Sequence, residues 1–76
     1  MNKIHIGNVI IQTLAEKDLK MSWLARQVHY EESNFCKKLK RNSIHLDLLE
    51  DISNVLHVDF FAYYTKELQE KWKNLP

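Results

Sequence analysis

Between Glu31 and Ser43 the sequence reads EESNFCKKLKRNS, and its side chains change character along the way. Two carboxylates come first, then a hydroxyl, an amide and a thiol, then Lys37, Lys38, Lys40 and Arg41. Four cations within five residues suit anion binding, above all of phosphate. The same cations at the end of a helix complement the negative end of its dipole, and glutamates at its start complement the positive end. On these residues alone both uses stay open.

Other chemistries find little support. Ser22, Ser33, Ser43 and Ser53 lack a histidine and carboxylate arranged to activate a hydroxyl, and a chain with one glycine has no glycine-rich phosphate loop. The histidines His5, His29, His45 and His57 include no pair at i, i+4, so no metal site is expected. Cys36 has no second cysteine to pair with, which excludes an internal disulfide and suits a reducing compartment; it reads as a small surface or half-buried side chain. Catalysis, cofactors and a small-molecule substrate are therefore not expected.

The elements that must position the basic run come from composition and spacing. The chain of 76 residues is read as one small domain, with its core between about residues 5 and 65. The only glycine besides a terminal proline leaves almost no punctuation, which favours helices with short connections over hairpins. Apolar spacing predicts five helices: 5–17, with Ile6, Val9, Ile10 and Leu14 on one face; 21–28, with Leu24, Ala25 and Val28; 32–40, with Phe35 and Leu39; 45–56, with Leu48, Leu49, Ile52, Val55 and Leu56; and 60–73, with Phe60, Phe61, Tyr64, Leu68 and Trp72. Leu19 is expected to point inward, Asn42 or Ser43 to cap the fourth helix, and Asp59 to cap the fifth.

The net charge of +1 conceals a division. Residues 20–41 set six cations against two carboxylates, a local charge of +4, whereas residues 42–64 carry Asp47, Glu50, Asp51 and Asp59 and no Lys or Arg. Such polarity fits a protein that offers one face to an anion. No apolar run is long enough to span a membrane and no signal peptide is expected, so the chain is read as cytoplasmic.

Two short helices joined by a three-residue connector, with Ala25 at their approach and Val28 and Phe35 turned inward, have the dimensions of a helix-turn-helix. At these residues, together with LLEDISNVLHVDFF from Leu48 to Phe61 and with Gly7, Ile10 and Leu14, the chain resembles the XRE-type helix-turn-helix proteins with a lambda-repressor-like five-helix domain. His29 stands where that family usually has glycine in the turn, Lys20 where it has a Ser or Thr cap, and Met21 where a glutamine often touches phosphate.

The resemblance implies a bacterial transcriptional regulator that reads double-stranded DNA with its third helix. By position, Glu32, Ser33, Asn34, Cys36 and Lys37 are the expected base contacts. Lysine suits guanine O6/N7, asparagine adenine, and glutamate only a cytosine amine. Met21, Ser22, Trp23, Lys38, Lys40, Arg41, Asn42 and Ser43 are the expected backbone contacts, which orient the protein without reading sequence. Trp23 could equally cover the core. Tyr64, Leu68 and Trp72 are expected to meet a second copy, since two-fold dimers space recognition helices by about 34 Å; folding back onto the first helix is the alternative for them. A different reading of the whole chain is a protein-interaction module, antitoxin-like or adaptor, that keeps the fold without strong DNA binding. Glu31, Glu32 and Met21 favour it.

Overall fold

The computed structural model describes residues 4–73, which form five α-helices in the order α1 Ile6–Glu16, α2 Met21–Gln27, α3 Glu32–Lys40, α4 Leu46–Leu56 and α5 Phe61–Trp72. No strand occurs among these residues. Each helix lies within one residue of the bounds that apolar spacing predicts.

One hydrophobic cluster ties four helices and two connections together. Ile6, Ile10 and Leu14 come from α1, Leu24 and Ala25 from α2, Phe35 and Leu39 from α3, and Leu48, Leu49, Ile52 and Leu56 from α4. Val28 and Phe60 join from the connections. Burying each large apolar side chain stabilises the fold by about 1.5–3 kcal/mol, and no such residue comes from α5 itself. Helix α3 packs against α1 and α2, and α2 also packs on α4. The small Ala25 lets α2 approach its neighbours. Leu19, Val9, Val55 and Trp23 cover the cluster from its edges.

Gly7 is spent on a close approach. A Cβ built on it would stand 1.7 Å from the Leu39 carbonyl oxygen, so α1 rests directly on the backbone of α3. The turns manage without glycine. Asp18, His29, Asn42 and His57, one in each of the four connections, adopt left-handed backbone with φ between 56° and 63°. Asp, Asn and His tolerate that region better than most side chains do. In each turn the next residue's N–H donates five residues back: Leu19 to Leu14, Tyr30 to Ala25, Ser43 to Lys38 and Val58 to Ser53. These bonds satisfy carbonyls that the helix ends leave open.

Helix starts depart from expectation in an informative way. Neither Asn42 nor Ser43 caps α4. His45 does, its Nδ1 accepting the Leu48 N–H at 3.2 Å. His5 caps α1 in the same manner, accepting the Asn8 N–H at 3.1 Å. Both histidines therefore stand just outside the helices they were expected to open. Asp59 Oδ1 accepts the Phe61 N–H at 3.1 Å, as a cap for α5 should, although Phe60 intervenes.

Candidate nucleic-acid interface

Phe35 and Leu39 turn one side of α3 into the core. At 100° per residue the opposite side presents Ser33, Asn34, Lys37, Lys40 and Arg41, all of them exposed. Glu32 is exposed in the first turn, and Cys36 is half-buried on the flank. Charge thus runs along α3 from acid to base. Glu31 and Glu32 lie at its start and Lys37, Lys38, Lys40 and Arg41 at its end, with Glu32 and Lys40 about 12 Å apart along the axis. Both groups suit the helix dipole. Among the described residues, however, none of the four cations is in an ion pair, the only two ion pairs being Lys71–Glu67 and Lys73–Glu70 on α5.

A cleft of about 310 Å³ opens beside this basic end, lined by Tyr30, Asn34, Lys37, Lys38, Arg41 and Ser43. No carboxylate is among its walls. Tyr30 anchors it: the ring packs against Phe35, centroids 6.1 Å apart, and Lys38 Nζ lies 5.7 Å from its centroid. This contact keeps the Lys38 ammonium at the wall of the cleft. Tyr30 is absent from the expected contacts: it lies in the connection ahead of α3, where helical spacing does not place it beside Asn34, Lys37, Lys38 and Arg41.

The remaining expected contacts divide into three groups. The Ser33 hydroxyl donates to Glu31 Oε1 at 2.5 Å, so this serine is held by a carboxylate. Met21 and Trp23 are half-buried against the core, and Ser22 is half-buried beside them; none of the three lines the cleft. Asn42 is committed elsewhere. Its Oδ1 accepts the Gly7 N–H at 3.2 Å and its Nδ2 donates to the Ile4 carbonyl at 3.3 Å. With its amide engaged at both ends, Asn42 fastens α1 to the end of α3. His5 adds a third bond to this clasp, since its Nε2 lies 3.0 Å from the Lys40 carbonyl oxygen.

The residues expected to meet a second copy lie on α5. Tyr64 and Leu68 border a groove of about 390 Å³ together with Ile4, Asn42, Glu67 and Lys71. Burial, and secondarily the nearby Glu67 carboxylate, raises the Tyr64 hydroxyl above the usual tyrosine value. Leu68 remains 45% exposed and Trp72 59% exposed. Neither folds back far enough onto α1 to be buried.

Among the described residues no three His, Cys, Asp or Glu side chains come together in a way that could hold a metal ion. No described helix is long and apolar enough to cross a membrane. No model of a protein family, no curated protein and no solved structure matches this chain.

Proposed function

We propose that the protein is a sequence-specific double-stranded DNA-binding regulator of the XRE type, in which α2 and α3 act as the helix-turn-helix and α3 enters the major groove. One observation carries this reading: the side of α3 facing away from the core ends in cations that have no ion-pair partner among the described residues, beside a cleft walled by Lys37, Lys38 and Arg41 with no described carboxylate in its lining. Backbone phosphates would be held by Lys38, Lys40, Arg41 and Ser43. Asn34 and Lys37 are the best placed of the expected base readers, because both are exposed and neither is held by a carboxylate. Ser33 reads a base only by giving up Glu31. Glu31 and Glu32 serve the start of α3 and keep phosphates toward its other end.

Titration of a labelled duplex at several salt concentrations tests this. Each phosphate contact contributes about −0.9 to the log–log slope of affinity against salt. Replacing both Lys40 and Arg41 by alanine should flatten the slope by about two such contacts. Absence of duplex binding at low salt overturns the proposal.

The second reading, a protein-interaction module, draws on α5, which buries no residue of its own and leaves Leu68 and Trp72 exposed. It predicts binding of a protein partner through α5 with no salt-dependent duplex affinity. Pairing of α5 with a second copy is compatible with the DNA-binding reading, since a dimer would present two copies of α3.

A further inference from the structure

Lys38 differs from Lys37, Lys40 and Arg41. Those three are exposed, whereas Lys38 is half-buried. Its Nζ lies 5.7 Å from the centroid of the Tyr30 ring, within the roughly 6 Å over which an aromatic face attracts an ammonium. The ring is itself fixed. The Tyr30 N–H donates to the Ala25 carbonyl at 2.8 Å, and the preceding residue, His29, holds left-handed backbone. The ring packs on the core, its centroid 6.1 Å from that of the buried Phe35. Backbone and side chain thus both set where the aromatic face stands. Lys38 also brings in the next wall of the cleft, because its carbonyl accepts the Ser43 N–H at 2.9 Å.

An aromatic partner does something that a carboxylate cannot. A carboxylate would cancel the ammonium charge, and an incoming anion would have to displace it. The ring attracts the ammonium through its quadrupole and leaves the charge uncancelled. It also occupies one side of the ammonium only, and a lysine has three N–H donors. A free lysine loses rotamer freedom when it grips a ligand; one that already rests against a ring has less to lose. Arg41 and Ser43 line the same cleft, and no described carboxylate does. A guanidinium fork, an ammonium and a hydroxyl around one opening suit the several oxygens of a phosphate group.

We propose that this cleft is a seat for one phosphate group and that Tyr30 is its positioning residue, holding the Lys38 ammonium where it meets the phosphate together with Arg41 and Ser43. The source of the phosphate rests on the DNA-binding reading, which makes it a backbone phosphate of the duplex. The seat and the role of Tyr30 rest on the cleft alone. Tyr30 acts through Lys38 and by its ring. Phenylalanine therefore serves in its place, and leucine, which fills space without an aromatic face, does not.

NMR spectra of the full chain test the contact without any substitution. The ring current of Tyr30 should shift the Lys38 Cε–H signals away from those of Lys37 and Lys40; coincidence of the three overturns the proposal. Inorganic phosphate should move the Lys38 side-chain and Ser43 amide signals saturably, beyond the effect of chloride at equal ionic strength. Duplex affinity gives the consequence. Tyr30→Leu should weaken it by about two- to fivefold, the scale of an exposed cation–π contact. The salt slope should stay as in the wild type, because the Lys38 charge remains, whereas Lys38→Ala should flatten it by about 0.9. Tyr30→Phe should match the wild type. In a Lys38→Ala background Tyr30→Leu should cost nothing further, since the ring acts through Lys38. An equal loss with and without Lys38 makes Tyr30 a packing residue only and overturns its role. A saturable response to inorganic phosphate with no duplex binding at low salt supports the seat and overturns the DNA reading. No response to either overturns both.

Discussion

Gly7 and Asn42 sit on opposite sides of one contact, and substitutions there separate its parts. Gly7→Ala drives a methyl group into the Leu39 carbonyl, which is backbone and cannot rotate away, so α1 and α3 must move apart. Overpacking of this kind should cost at least about 2 kcal/mol, read from a urea denaturation midpoint. Asn42→Gly is the milder change. It keeps the left-handed backbone and removes only the bonds to Gly7 and Ile4, an expected loss of about 1–2 kcal/mol. Because the Asn42 amide is turned toward α1, the same variant should leave the salt slope of duplex binding unchanged. A slope that flattens by one contact would return Asn42 to the proposed phosphate contacts.

Among the elements, the turns are where strain is stored. His29 occupies left-handed backbone between α2 and α3 at φ 63°, a conformation that costs a residue with a Cβ about 1–2 kcal/mol. His29→Gly relieves this cost and adds freedom to the unfolded chain, so a net gain of up to about 1 kcal/mol is expected, measured as a raised urea midpoint. The helices themselves were legible because Ile6, Ile10 and Leu14, or Leu48, Ile52 and Leu56, repeat at the helical period and all reach the core. The caps were not legible in the same way. Asn42 has the right chemistry to cap α4, but tertiary contact with α1 claims its side chain, and a histidine takes its place. The cleft was half legible: its lysines and arginine announce themselves by charge, whereas Tyr30 enters only through its packing on Phe35, a relation between a turn and a helix interior that local spacing does not contain.

For the whole molecule, shape and charge point in different directions. The described chain is 46 Å long and about 22 Å across. Lys37, Lys38, Lys40 and Arg41 gather at the end of α3, while the exposed Leu68 and Trp72 lie on α5. If α5 pairs with a second copy, sedimentation should show a dimer at high micromolar concentration, and Leu68→Glu with Trp72→Ala should return it to a monomer. A wild type that sediments as a monomer at that concentration removes the dimer. That α5 buries none of its own residues also bears on cooperativity. An isolated helix of this length is marginal in water, so the outer turns of α5 should open without waiting for the rest of the chain. Heating should then remove part of the far-ultraviolet helical signal before the main transition. The two tryptophans divide the molecule for such an experiment, Trp23 lying against the core and Trp72 near the end of α5. With each replaced in turn by phenylalanine, fluorescence should report two melting events where a fully cooperative domain would give one.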